Sequence, residues 1–137
     1  MKSRGVLIGA TALAFVLTGC MDSGVIPKTA PGPSAARADQ AVAELSSGDF
    51  AAVEANFDPT MRVALPVASL QNSWTTYQQL LGAYRRHDAP SSVMKGQLDV
   101  ERVPVTMANA SGEIRITFHP DGTIAGLYFL KAGAPAP

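Results

Sequence analysis

The spacing of apolar residues changes once along this chain, near Pro90, and that change restricts the fold class. Upstream, apolar residues recur every three or four positions, the period of a helix; downstream they recur every second position, the period of a strand. The strongest helical stripe begins at Pro66 and runs through Val67, Leu70, Trp74, Tyr77, Leu81 and Tyr84, opposite Gln71, Ser73, Thr75 and Gln78. Arg85, Arg86 and His87 would then sit at the negative pole of that helix. Shorter helices are expected upstream. Asp39 caps one that carries Val42 and Leu45 and ends near Gly48, where a left-handed residue is needed. Phe50, Val53 and Phe57 space a second, and Asp58-Pro59 opens a third.

Downstream, Val103, Val105 and Met107 share one face of a strand. Ile114, Ile116 and Phe118 share the inner face of the next, with Glu113, Arg115 and Thr117 outward. Asn109 to Gly112 and His119-Pro120-Asp121-Gly122 are turn chemistry, and Thr123 to Lys131 forms the last strand. An earlier strand near Val93 to Val100 is out of phase with Val103, which predicts a bulge or break around Glu101 to Pro104. Helices followed by an antiparallel meander define an α+β domain, with the helices packed on the concave face of a curved sheet.

The N-terminus limits how much chain is left to fold. Lys2 and Arg4 precede an apolar run from Val6 to Leu17, too short to cross a bilayer, which takes about 20 residues. Leu17-Thr18-Gly19-Cys20 resembles the bacterial lipobox, so residues 1–19 read as a lipoprotein signal peptide and Cys20 as the lipidated residue. Residues 20–37, rich in Gly, Pro, Ser and Ala, read as a linker with a reach on the order of 20 to 25 Å. The folded domain spans 38–131, and 132–137 is a tail. Cys20 is the only cysteine, so the domain must be stable without a disulfide. Removing Lys2 and Arg4 with the signal leaves two more acids than bases, without runs, which argues against nucleic acid as a partner.

Several runs together carry a family resemblance: Ala43-Glu44-Leu45-Ser46-Ser47-Gly48-Asp49-Phe50, Phe57-Asp58-Pro59-Thr60-Met61, Leu70 and Trp74 with Leu81-Gly82, and Phe118 with Asp121 through Phe129. Residues 38 to 131 resemble a bacterial extracytoplasmic domain of unknown function in the nuclear-transport-factor-two-like superfamily, the cystatin-like or SnoaL-like roll. In that family the domain often precedes an alpha/beta hydrolase. The resemblance implies a cone of curled sheet and helices whose mouth suits a small molecule; it implies no particular chemistry.

The sequence carries no nucleophile elbow, phosphate loop or dinucleotide fingerprint. His87 and His119 are far apart, each in an expected turn, so neither a metal nor a cofactor is expected. Asp49, Asp58 and Asp121 read as caps and turns, and Glu101 and Glu113 do not share the inward phase of Ile114, Ile116 and Phe118. The candidates for lining a pocket in the cone are Trp74, Tyr77, Tyr84, Val105, Met107, Ile116, Phe118 and Tyr128. The expected function is a lipid-anchored, non-catalytic domain, held to the membrane on its extracytoplasmic side, that binds a small apolar ligand or an envelope protein. The rivals are an isomerase- or cyclase-type enzyme in the same cone and a homodimer through the outer sheet face. The latter rests on Leu127 and Phe129 falling on the opposite face from Ile124 and Tyr128.

Overall fold

The computed structural model describes residues 32–135; the expected signal peptide and Cys20 lie outside them. Four helices precede five strands: α1 (Pro33–Ser47), α2 (Phe50–Ala55), α3 (Pro59–Ala64), α4 (Val67–Leu81), β1 (Tyr84–His87), β2 (Ser91–Lys95), β3 (Leu98–Met107), β4 (Ser111–Phe118) and β5 (Ile124–Lys131). The strands form one antiparallel sheet in the order β1-β3-β4-β5, with β2 also paired to β3. β1 pairs with Val105 to Met107 and β2 with Leu98 to Arg102, so the two lie end to end along one edge of β3. This is an α+β fold.

Helix α1 begins inside the segment expected to be linker. Pro33 presets the first helical turn, and alanine has the best helix propensity. Ala35, Ala38 and Ala41 are buried, because their small side chains let the helix backbone lie close to its neighbours. Asp39 is thus an interior residue of α1, and the cap position belongs to Gly32. The other expected caps are present. Asp49 accepts from the Ala52 amide, Asp58 from the Met61 amide at 2.7 Å, and Asp121 from the Thr123 amide and hydroxyl.

The long helix is shorter than its apolar stripe. It stops at Leu81, where Gly82 takes φ +89°, a conformation that costs a residue with a β-carbon more than it costs glycine. Tyr84 to His87 therefore form β1, not the last turn of α4, and Arg85 and Arg86 meet no helix dipole. Tyr84 still packs against the core, since the turn at Gly82 returns it to Trp74.

Strand β3 runs from Leu98 to Met107 without the expected break. The phase conflict is resolved differently: Leu98 and Val100 face outward, and Glu101 faces inward with Val103, Val105 and Met107. The expectation that Glu101 lies out of the inward phase is thereby overturned; its side chain is 0% exposed. The register of β4 with β5 shifts between Thr117 and Phe118. This bulge brings Ile124, Leu127 and Phe129 to the same inner face and leaves Tyr128 on the outer one. Leu127 and Phe129 are hence part of the core, not an exposed apolar face.

The core lies between this inner face and the helices. Val42, Leu45, Val53, Leu70 and Trp74 meet Val103, Val105, Ile114, Ile116, Phe118 and Ile124. A ring cluster of Trp74, Tyr77, Tyr84 and Phe129 closes one end, with centroid separations of 5.3 to 6.0 Å. At the other end a short bridge joins Phe57 to Ile124, with the Asp58 amide donating to the Ile124 carbonyl and the Ile124 amide to that of Asn56.

Candidate functional site

Side chains fill the cone. Trp74, Tyr77, Val105, Met107, Ile116 and Phe118 are each at most 5% exposed and pack on one another as core. Tyr77 donates its hydroxyl to the Leu130 carbonyl at 2.7 Å, and burial pushes its pKa up to about 12. Tyr84 is half-buried at the edge of the same cluster, and Tyr128 is on the opposite face of the sheet. Six of the pocket candidates thus come together, but as packed interior; a cavity of about 110 Å³ beside Arg37, Gln40, Asn56 and Gly122 touches only Phe118 of them.

Two polar features of the inner side were not legible in the periodicity. His87, from β1, lies 3.2 Å from Asp39 Oδ1 through Nε2 and 2.6 Å from the Tyr84 hydroxyl through Nδ1. With Nε2 donating to the carboxylate, Nδ1 is free to accept from the phenol. Desolvation, reinforced by the Asp39 charge, raises the Tyr84 pKa, so the phenol stays protonated. The string pins α1 to β1. Glu101 is the second feature. Ser92 donates to its Oε1, while Oε2 has no partner among the described residues. Desolvation raises its pKa above the usual carboxylate value, with the neighbouring charges of Asp99 and Asp39 adding to the effect despite the Ser92 bond. His119, expected as a turn residue, reaches back to Asp58 Oδ2 at 2.8 Å and ties the last turn to the start of α3. Among the described residues, no group of three or more His, Cys, Asp or Glu side chains is placed to hold a metal.

The large concavity is on the outer face. A groove of about 670 Å³ runs over Val93, Leu98, Val100, Thr117, Gly126 and Tyr128 and reaches Arg102 and Arg115; no residue of α1 to α4 lines it. The strand register orders these residues. Val93, Val100, Thr117 and Gly126 form one row across the sheet, and Arg102, Arg115 and Tyr128 form the next. Arg102 and Arg115 are direct cross-strand partners, a like-charge pair that would repel. Glu113, one row on, accepts from both: from Arg102 at 3.0 and 3.1 Å and from Arg115 at 2.6 and 2.9 Å. Desolvation pushes the Glu113 pKa upward, but the bonds and charges of the two arginines outweigh it and hold the carboxyl below its ordinary value. The cluster keeps one net positive charge. Arg115 is 8% exposed, and its Nη1 is buried without a partner among the described residues. Sequence alternation placed Arg115, Thr117 and Glu113 outward; it could not show that β2 would build a wall beside them.

Helices on one face of an antiparallel sheet, a packed interior and an open groove on the reverse define a small α+β domain whose groove is lined by strands and by Ala134 just beyond β5. The family model for a protein of unknown function, DUF3887, matches residues 38–127, and the chain belongs to that family. No curated protein and no solved structure matches it. Among the described residues, no helix is long and apolar enough to cross a membrane.

Proposed function

We propose that this chain is a lipid-anchored, extracytoplasmic binding module with a nuclear-transport-factor-two-like roll, held at the membrane by a lipid on Cys20. On this reading its outer sheet face takes an apolar ligand, or an apolar segment of an envelope protein, and performs no covalent chemistry on it. The observation that carries the reading is the outer groove. Val93 is 51% exposed and Tyr128 44%, in neighbouring rows of one face, and Met94, 62% exposed, borders the groove from the edge strand. Contiguous apolar surface of this kind marks interaction sites in soluble domains. The lining gives affinity through buried area, and no acid and base lie together in it.

The deciding experiment is native mass spectrometry of the protein extracted from its own membrane, beside wild type and Cys20→Ala fractionated after labelling with a radioactive fatty acid. The expected result is a labelled membrane protein that carries an apolar adduct, and an unlabelled, soluble Cys20→Ala. A bare mass, with no change in melting temperature across a panel of lipids and hydrophobic metabolites, would overturn the ligand-binding reading. Membrane retention of Cys20→Ala after washing would overturn the anchor.

A second reading, an isomerase- or cyclase-type enzyme, rests on Glu101, a buried carboxyl of raised pKa on the helix-covered face. Such groups recur in active sites. Its charged neighbours are Asp39 and Asp99, both acids, and Asp39 is itself engaged by His87. Turnover of any panel member, abolished by Glu101→Gln, would establish this reading in place of the first.

A further inference from the structure

The groove has two chemically different ends. Along β3 the outward positions run Leu98, Val100, Arg102, and along β4 they run Thr117, Arg115, Glu113. Moving from the β2–β3 turn toward the middle of the sheet, the wall therefore changes from Val93, Leu98, Val100 and Thr117, with the exposed Lys95 at its rim, to a pair of guanidinium groups within two residue rows. Three charged groups meet there, and one positive charge remains after Glu113 is counted against Arg102 and Arg115.

The Arg115 side chain is the unusual member. Its Nε and Nη2 donate to Glu113, and its Nη1 is enclosed with no acceptor among the described residues. A buried charged donor left unpaired is costly, more so than a neutral one. Arg102 does not share this condition, since its side chain is 43% exposed and water can reach it. The Arg115 head thus demands an acceptor at the point where the aliphatic wall ends.

Resting on the outer-face binding reading above, we infer that the groove is a site for a single-chain, monoanionic amphiphile, a long-chain fatty acid, with its carboxylate at Arg115 and Arg102 and its chain along Val100, Val93 and Leu98. The ionic cluster leaves one positive charge for one carboxylate, and a guanidinium edge pairs with a carboxylate in a fixed planar geometry, whereas Lys95, beside Leu98 at the other end of the groove, is an exposed, water-solvated ammonium. The aliphatic rows accept a chain and contribute in proportion to its length. An uncharged chain would fill the apolar end and leave Nη1 unpaired. A cationic amphiphile would bring its charge against the arginines.

The test uses the full chain in its own membrane and a hexadecanoate probe with a photoreactive diazirine near the methyl end, beside the matching hexadecanol probe. The acid probe should label peptides containing Val93, Leu98 or Val100. Unlabelled hexadecanoate should compete at least tenfold better than hexadecanol. Each methylene removed from the competing acid should weaken it about fourfold while the chain lies in the groove. Arg115→Gln should lower labelling about 10- to 100-fold, the loss expected for a charge-assisted bond. Val93→Asp, at an exposed edge-strand position one row from the ionic cluster and outside its hydrogen bonds, should lower it too, so the test survives a poorly folding Arg115 variant. Equal labelling of the groove by acid and alcohol, or unchanged labelling of a folded Arg115→Gln, would overturn the fatty-acid inference and leave the apolar groove standing. No groove labelling by either probe would overturn both. Cross-links across this face between two copies of the chain, with the probes excluded, would also overturn both in favour of self-association.

Discussion

Gly112→Ala tests how tightly the long helix is seated on the sheet. Gly112 lies in β4 directly under the Tyr77 ring, and a β-carbon added there would come within 1.9 Å of the phenol oxygen and 3.0 Å of both the ring carbon that bears it and the Leu130 carbonyl. Relief requires the phenol to move by about 1 Å, which breaks its 2.7 Å bond to Leu130. Losing a buried hydrogen bond costs about 1–3 kcal/mol. Overpacking around a ring fixed by Trp74 and Phe129 costs about 1–3 kcal/mol more. The sum, about 2–6 kcal/mol, is a large part of the roughly 5–15 kcal/mol that holds a domain of this size. Urea unfolding of wild type, Gly112→Ala, Tyr77→Phe and the double variant measures it as a cycle. Tyr77→Phe alone should cost about 1–2 kcal/mol. The double variant should be more stable than the sum of the single losses by at least about 1 kcal/mol, because the atom in the worst contact is gone. A Gly112→Ala midpoint within about 0.5 kcal/mol of wild type, or strictly additive losses, would refute the packing of α4 described above.

Three further outcomes follow from the core and its buried acids. Trp74→Ala should cost about 3–5 kcal/mol in urea unfolding, and a soluble variant with an unchanged melting temperature would show that the ring cluster is not load-sharing core. Glu101 has a raised pKa in the folded state, so its protonation supports folding at low pH and that support is lost as pH rises through the raised value. Glu101→Gln should therefore gain on wild type as pH rises from the ordinary carboxylate range through the raised value, and a stability difference independent of pH would contradict the burial of this carboxyl. Glu113 has a lowered pKa, so its stabilising effect is present above the ordinary carboxylate range and lost as pH falls through the lowered value. Glu113→Gln should be about 1–3 kcal/mol less stable at neutral pH, with the deficit shrinking in acid-unfolding measurements.

The elements that could be read from sequence were those whose local signal and tertiary role agree. Asp58-Pro59 opens a helix whatever surrounds it, and the alternation of Ile114, Ile116 and Phe118 needs only one buried face. The misreadings share a cause: periodicity assumes that apolar means inward and polar means outward. Leu98 and Val100 violate the first half of that assumption because they line the outer groove. Glu101 violates the second half because its neighbours on the strand, not its own polarity, fix its direction. The outward Leu98 and Val100 line the candidate site, a departure of the kind expected where local rules give way. Tyr84 and Leu127 were displaced by single backbone events, the turn at Gly82 and the bulge opposite Thr117, to which side-chain spacing is blind. The pairing of Arg115 with Glu113 follows from a reading of outward charges, but its unsatisfied nitrogen arises only from the packing of the folded sheet.

The bridge between Phe57 and Ile124 bears on the order in which a nascent chain can mature. Asn56 and Asp58 exchange backbone bonds with a residue more than sixty positions later, and His119 reinforces the same closure through Asp58. When α1 to α4 have left the ribosome, their apolar stripes have no sheet to cover, and short helices without a packed face are marginal in water. β3 and β4 can pair as soon as they emerge, yet the core keeps an open side until β5 arrives. Translation that stops before Ile124 would thus yield an exposed, protease-sensitive chain instead of a smaller stable domain. The last strand acts as the release point for the whole domain, and stalling or truncation there would cost far more than the eight residues of β5 themselves.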